Sequence, residues 1–430
     1  MITWRRATLR ADLTLLRQRR FALLFTGRAV TMFGTAFGPM ALAFGVLSLA
    51  GATPTTLSIV LTGHAVPQLA LMLFGGAIGD RFPRHQVLVA GQVLSGSAFG
   101  GMAAMLLTGW APLAALTGCA VLAGCGSTLL LPVLTSAVRD VVGREQLQPA
   151  NALLRLGGNT ANIVGLAGAG GAIALLGPGT ALLVTALAYL AAGWLLRGLR
   201  PGTAAPRGPD SAGSTSAVDR RGRWLLADVR IGVREFASRQ WLWVVVLSAA
   251  ILNAGTAAGF GVLGPVLAVD RLGGAVPWSI IMIGYSAGTL VSVVLALRLR
   301  PARPLLAASL VTPLLAAPMV ALGAASPLGL TVAAALLAGM AFNVFGVWWE
   351  TTVQQQIPAG VLARVISVNY LVALSIRPLG ILVAGHFATS SGPGPTIVVL
   401  GIVMLAAGLA VLASSQVRNL STTETEQCRD

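Results

Sequence analysis

The amino-acid sequence predicts an all-α membrane protein with twelve transmembrane helices in two six-helix bundles. Three observations lead to this prediction: the chain is 56% hydrophobic and only 10% charged, its apolar runs are long, and its charges fall on alternate connectors. A soluble chain would carry roughly 25% charged residues. Apolar runs of about 20 residues are long enough to cross a hydrocarbon core of ~30 Å.

The apolar runs break at clusters of Gly, Pro and charge, and these breaks define the predicted spans. The first run follows Arg19 and Arg20 and is too long for the core of a signal peptide, so we expect it to stay in the membrane as the first span. The first bundle holds spans at 21–50, 57–78, 86–108, 112–134, 149–176 and 178–197. The second bundle holds spans at 241–268, 278–298, 305–324, 328–349, 364–387 and 396–415.

These spans divide the chain into five regions. They are a basic N-terminus at 1–20, a first bundle at 21–197, a linker at 198–240, a second bundle at 241–415 and a tail at 416–430. The linker begins with the Pro-, Gly- and Ser-rich stretch PGTAAPRGPDSAGSTSAVDRRGR, which is typical of a flexible tether. WLLADVRIGVREFAS follows, and its spacing of apolar and charged positions predicts a short amphipathic helix on the membrane surface.

The placement of arginine predicts the orientation. Residues 1–20 hold six Arg, and the connectors after spans 2, 4, 8 and 10 each carry Arg. The opposite connectors are uncharged except at Asp270 and Arg271. Because positive connectors stay on the cytoplasmic side, we expect both termini in the cytoplasm and the protein in the cell membrane. The net charge of +16 therefore reflects topology, and we expect no nucleic-acid partner.

The stretch GGAIGDRFPRHQ between spans 2 and 3 concentrates charge in a chain that has little of it. It resembles the connector motif of the major facilitator superfamily, which Gly76, Asp80, Arg81 and Arg84 match. The resemblance covers the whole chain in topology, and two six-span halves of one topology are known from this architecture. Pro83 and His85 depart from the motif.

The resemblance implies a gating role for this motif. Asp80 would face the positive N-terminal end of span 11, and Arg84 would pair with Asp140 at the end of span 4. Gly76 would allow close helix approach. This charge latch would hold the cytoplasmic side closed. The alternative is a stop-transfer cluster that only fixes topology.

Three arginines fall inside predicted spans. Arg28 and Arg155 lie near the cytoplasmic ends, so both could extend their side chains to the membrane interface. Arg377 lies about 15 Å from the outer end of span 11 at ~1.5 Å per residue. An arginine at that depth must face a wet cavity or a partner, so we expect Arg377 to contact substrate or take part in coupling.

Other polar side chains recur at helical spacing. The candidates for a substrate cavity, besides the three arginines, are Thr35 in span 1, His64 and Gln68 in span 2, Asn159 and Asn162 in span 5, Asn253 in span 7, and Asn343 and Glu350 in span 10. For any single Asn or Thr, a helix–helix hydrogen bond explains the residue equally well. Stripes in spans 1 and 5 together with Arg377 favour a shared cavity.

Acidic residues are absent from the interior of spans 1–9. Glu350, His64 and Asp80 remain as titratable candidates for proton coupling. A cavity with arginine and no acid disfavours cations, which points to neutral or anionic substrates.

Two further stretches resemble the multidrug and siderophore exporters of the superfamily, namely NALLR and VNYLVALSIRPLGILVAGH. GLAGAGG in span 5 resembles a glycine-rich exporter motif, although close helix packing also explains it. The resemblance implies a secondary active exporter of an amphiphilic small molecule, driven by protons through alternating access.

Two alternatives remain open, an uptake permease for a small metabolite and a transport-inactive sensor or assembly partner. The sequence has no P-loop, zinc spacing or nucleophile elbow. We therefore expect no ATP, metal, cofactor or enzymatic activity, and a monomer whose partners are the lipid bilayer, the substrate and protons.

Overall fold

The computed structural model describes residues 14–81, 84–142, 146–198, 233–299 and 301–420. Every regular element within these ranges is helical. A short 3₁₀ turn, Thr14–Arg17, precedes the first long helix.

Six long helices form the first half of the chain. They are α1 (Arg19–Leu47), α2 (Pro54–Arg81), α3 (Arg84–Thr108), α4 (Leu113–Val141), α5 (Leu147–Leu176) and α6 (Pro178–Arg197). Pro178 occupies the first turn of α6, where its missing N–H has no intrahelical partner to lose.

Six more form the second half. They are α7 (Gln240–Leu272), α8 (Ala275–Arg298), α9 (Pro304–Gly323), α10 (Leu328–Gln356), α11 (Ala359–Ser375 and Arg377–Ser391) and α12 (Pro393–Ala410). A 3₁₀ turn, Val411–Ala413, and a short helix, Ser415–Asn419, follow.

Ten helices in the described residues are long and apolar enough to cross a membrane. The two remaining long helices, α2 and α4, hold the second and fourth positions in the chain order. The protein is thus an all-α membrane protein with twelve membrane helices, six in each half, and the predicted fold class is confirmed.

The chain divides into two compact units by its internal contacts. One unit is Met1–Ala52 with Ile59–Pro206, and the other is Thr53–Ser58 with Arg207–Asp430. In the first unit, α3 packs on α4 and α6, and α1 packs on α5 and α6. Phe99 and Tyr189 stack with ring centroids 5.6 Å apart.

In the second unit, α8 and α10 approach each other at two glycines. A Cβ on Gly288 would lie 2.0 Å from the Leu336 carbonyl oxygen, and one on Gly339 would lie 2.0 Å from that of Tyr285. Small residues allow this backbone contact, which provides packing energy between helices in lipid. An aromatic cluster closes one end of the unit, where Trp241 meets Trp349 at 5.9 Å.

Three of the helices in the second unit are irregular. In α7, two π-helical turns, Gly259–Leu263 and Ala268–Leu272, interrupt the α-helix. In α9, a 3₁₀ turn at Thr312–Ala316 contains Pro313. In α11, the helix breaks at Ile376, because Pro378 has no N–H to donate to the carbonyl of Leu374 and its ring clashes with that carbonyl.

Several predicted boundaries were wrong. Span 4 was predicted to end at 134 and span 10 at 349, but α4 continues to Val141 and α10 to Gln356. Hydropathy marks where a helix leaves the membrane core, whereas the helix itself continues while polar residues can still form its backbone hydrogen bonds. Span 1 was predicted to end at 50, and α1 ends at Leu47.

Most of the linker lies outside the described residues. The predicted amphipathic helix, 224–238, is described only in part, where a short helix covers 233–237. Phe236 from this helix is buried in the aromatic cluster with Trp241 and Val353. Glu235 forms an ion pair with Arg239.

Candidate functional site

The connector motif is only partly described. Helix α2 ends at Arg81 and α3 begins at Arg84. The side chains of 72–85 and of Asp140 lie outside the described residues. The gating role of Gly76, Asp80, Arg81, Arg84 and Asp140 therefore stays a prediction.

Helix α5 has two chemically different faces. One face lines an apolar groove of about 830 Å³ between α1, α5 and α6. Its lining is apolar apart from Thr160, and comprises Leu16, Phe25, Ala29, Val30, Phe33, Leu153, Leu156, Gly157, Thr160, Ala161, Val164, Val184, Leu187, Ala188 and Ala191. Leu156, Val164 and Leu187 are more than half exposed, so the groove opens at the surface of the unit.

The other face of α5 is polar. Arg155, Asn159 and Asn162 each follow a groove-lining residue by two positions, which places them ~200° around the helix from the groove. Arg155 and Asn159 are exposed, and Asn162 is half-buried and makes an interaction of its own. The predicted stripe on span 5 is therefore a real surface, directed away from the apolar groove.

Arg28 on α1 lies beside Arg155. The charge of Arg155 acts on Arg28 across the α1–α5 interface. The Nε atom of Arg28 is buried and has no hydrogen-bond partner. The two helices are close at this level, because a Cβ on Gly157 would lie 2.6 Å from the ring of Phe25. The structure thus brings together two of the three arginines that the sequence places inside spans.

The polar stripe predicted on α1 does not form a single surface. Thr31 is fully buried, and its hydroxyl accepts a hydrogen bond from Gln92 Nε2 of α3. Thr35 is half-buried and donates to the carbonyl of Met32 in its own helix at 2.8 Å. These two threonines serve helix packing, and only Arg28 remains as a cavity candidate on this helix.

The pair on α2 also has a structural role. Gln68 donates from Nε2 to Ser127 Oγ of α4 at 3.0 Å. His64 makes an interaction as well, and a Cβ on Gly124 of α4 would lie 2.2 Å from its carbonyl oxygen. Both residues therefore lie where α2 and α4 meet.

In the second unit, both asparagines have partners. Asn343 Nδ2 of α10 donates to Ser292 Oγ of α8 at 2.8 Å, and Ser292 is fully buried. Asn253 donates to the carbonyl of Ala249 in its own helix at 2.9 Å. The helix–helix hydrogen bond that the sequence offered as the alternative applies to Asn343.

Glu350 is exposed on α10, and its Oε1 accepts a hydrogen bond from the Tyr370 hydroxyl of α11 at 3.3 Å. The sequence placed Glu350 at the edge of span 10. Since α10 continues to Gln356, the carboxylate lies about 9 Å inside the helix end at ~1.5 Å per residue. It remains a titratable candidate.

Arg377 opens the second segment of α11 at its first helical position. Its side chain is exposed to the probe of a solvent molecule, yet the surrounding structure desolvates it. A side chain that is both accessible and surrounded lies in a recess. A cation at the positive end of a helix is unfavourable for stability, so packing gives no reason for an arginine here.

Sequence reasoning missed two features of these surfaces. Gln92 was not selected, although it holds Thr31 and its own Oε1 is buried without a partner. The single Gln inside an otherwise apolar span was the available signal. The glycine-rich stretch of α5 was left with two explanations, and Gly165 supports close packing because a Cβ there would lie 2.8 Å from the Phe33 carbonyl oxygen.

Comparisons with known proteins follow from this geometry. The family model "Major Facilitator Superfamily" matches residues 21–380. No curated protein sequence matches the chain.

Solved structures share the fold at low identity. The nucleoside transporter NupG is 12% identical with a TM-score of 0.69, covering 94% of this chain and 100% of its own. A POT family transporter in complex with 5-aminolevulinic acid is 12% identical with a TM-score of 0.68, at 92% and 96% coverage. A bacterial homologue of the iron transporter ferroportin, in an inward-facing state, is 18% identical with a TM-score of 0.70, at 92% and 98% coverage.

The family match spans most of the chain, and these structures share its twelve-helix architecture. The chain therefore belongs to the major facilitator superfamily and is a multi-pass membrane transporter of that type.

Proposed function

We propose that this transporter exports an amphiphilic small molecule by alternating access, driven by proton influx. The observation that supports it best is the exposed polar face of α5, with Arg155 and Asn159 beside Arg28 of α1. An ionisable group at this depth in a membrane bundle is costly and is typically kept for a substrate or ion pathway. A transporter with such a face binds the polar part of its substrate there.

The direction of transport and the branch of the family rest on the sequence. NALLR at the start of α5 and VNYLVALSIRPLGILVAGH in α11 resemble the multidrug and siderophore exporters. Orientation rests on the arginines of alternate connectors, which favour cytoplasmic termini in the cell membrane. The charge latch of Asp80, Arg84 and Asp140 would then close the cytoplasmic side.

Proton coupling would use a titratable group. Glu350 with its Tyr370 partner is the candidate among the described side chains of the second unit. Asp80 and His64 are the candidates in the first half of the chain.

Accumulation of fluorescent amphiphiles in cells tests the function. The probes are neutral N-phenyl-1-naphthylamine and its sulfonated analogue 8-anilinonaphthalene-1-sulfonate, each measured with and without the protein and with and without a proton uncoupler. Lower accumulation that the uncoupler reverses supports proton-driven export. Export that survives collapse of the proton gradient contradicts the coupling.

Other outcomes contradict export itself. Higher accumulation with the protein would indicate an uptake permease, and unchanged accumulation of both probes would favour a sensor or assembly partner. Asp80→Asn tests the latch: we expect slower export, and unchanged export would leave the motif with a topological role only.

A further inference from the structure

The two arginines of the first unit have no counter-charge in the part of the chain that the structure describes. Neither Arg28 nor Arg155 makes an ion pair or hydrogen bond there, and Arg28 Nε is buried. A buried guanidinium is normally paired, since an unpaired charge loses its hydration without compensation. The charge of this pair therefore requires an explanation.

Depth does not provide one. Arg28 is nine residues from the start of α1, and Arg155 is eight residues from the start of α5. At ~1.5 Å per residue both lie about 12 to 14 Å along their helices, hence at one level. Two arginines that extended separately to the interface would move apart to reduce their repulsion. Instead, the charge of one acts on the other.

The acidic residues of this unit lie at its margins. Between residues 14 and 198 the sequence contains three acids, Asp80, Asp140 and Glu145. Asp80 and Asp140 stand one residue before the ends of α2 and α4, and Glu145 precedes α5. None lies within a helix at the level of the arginine pair, so the interior of the unit contributes two positive charges and no negative one.

The surroundings of the pair suit a bound anion. Asn159 lies one turn beyond Arg155 on the same exposed face and offers an amide donor. Guanidinium groups present parallel N–H donors that match carboxylate, sulfonate and phosphate oxygens. The lipid-like groove lies on the opposite face of α5, which keeps the polar face separate from the apolar one.

We propose that Arg28 and Arg155, with Asn159, bind the anionic group of the transported molecule, so that the substrates are anionic amphiphiles carrying a carboxylate, sulfonate or phosphate. This inference rests on the proposed transport function, and it names the substrate class of the same site.

Equilibrium binding to the full-length protein in lipid nanodiscs tests it. The probes are again 8-anilinonaphthalene-1-sulfonate and N-phenyl-1-naphthylamine, which differ by the sulfonate, with empty nanodiscs as the background. We expect Arg28→Gln and Arg155→Gln each to weaken sulfonate-probe binding by at least ~10-fold, as for loss of a charged hydrogen bond. Binding of the neutral probe should stay within about twofold, because it makes no charged contact.

Stability provides the second measurement. Removing one of two like charges relieves repulsion, so both Gln variants should keep or raise the melting temperature of the ligand-free protein. Asn159→Asp adds a carboxylate four residues from Arg155, so it should raise the melting temperature and weaken sulfonate binding as well. Arg197→Gln, at the exposed end of α6, is the matched control and should change neither quantity.

The proposal is overturned if the sulfonate probe fails to bind above empty nanodiscs, if the Gln variants bind it normally, or if both probes weaken together. Lower melting temperatures for both Gln variants would overturn it too, since they would show a structural role. These binding results are independent of direction and coupling. If sulfonate binding depends on both arginines while cells show no transport, the proposed function fails and the anion site stands.

Discussion

The two units treat their polar side chains in different ways. In the first, Arg28 and Arg155 come from two helices, act on each other as like charges, and have no counter-ion among the described side chains. In the second, Asn343 is bonded to Ser292 across α8 and α10, and Glu350 accepts from Tyr370. Both sets recur at helical spacing in the sequence, so spacing alone does not distinguish a packing residue from a binding one. The partner does.

Arg377 is the exception in the second unit. It is a single cation in a recess at a break in α11, without the second arginine that marks the first unit. The comparison therefore separates satisfied polar contacts from charges that the protein maintains at a cost.

The largest expected effect concerns the paired region. Gly339→Ala places a Cβ 2.0 Å from the Tyr285 carbonyl oxygen, which forces α8 and α10 apart and should lower the free energy of unfolding by about 3 kcal/mol. Gly346→Ala, on the same helix with nothing within 4 Å of its Cβ, is the matched control and should be neutral or stabilising. Thermal unfolding of the purified variants measures both, and equal losses would show that the contact does not limit packing.

Arg377→Gln should have the next largest effect, on transport. We expect export of the fluorescent probes to fall about 10-fold, the equivalent of ~1.4 kcal/mol. Stability should stay the same or rise by about 0.3 to 1 kcal/mol, because the variant removes a cation from a helix N-terminus. Arg418→Gln, exposed in the last short helix, is the control. Normal export with reduced stability would assign Arg377 to structure instead.

The smallest effect is expected at Asn343. Asn343→Ala removes the hydrogen bond to Ser292, and such bonds between membrane helices contribute about 0.6 kcal/mol on average. The buried Ser292 hydroxyl keeps its bond to the carbonyl of Thr289, which limits the loss. Export should remain within about twofold of the unsubstituted protein at a matched expression level. A tenfold loss of export at unchanged stability would move Asn343 to the substrate surface and remove the contrast between the units.

The sequence predicted the number and order of the membrane helices because each apolar run is long enough to need a bilayer. It did not predict where α4 and α10 end, since residues such as Thr352 and Val353 continue the helix beyond the apolar run and are buried there. Helical spacing identified the exposed face of α5 correctly. The same spacing failed on α1, where Thr31 packs against Gln92.

Partners were the part that sequence could not supply. That Gln68 meets Ser127, or that Arg28 meets Arg155, depends on which helices touch and at what height, and these contacts join positions about 60 and 130 residues apart. Local pattern holds no information about them. The charge latch could not be tested from either direction, because the side chains of 72–85 and Asp140 lie outside the described residues.

The winding of α7 affects how this helix can be aligned with other members of the family. Each π turn contains one more residue than the regular winding, which rotates all later side chains by ~100°. Against a regularly wound seventh helix, an ungapped alignment therefore slips by one position after Leu263 and by two after Leu272. Placing a gap at each turn restores the match between facing residues, and without those gaps the buried Val266 and Leu267 would be equated with positions on another side of the rod.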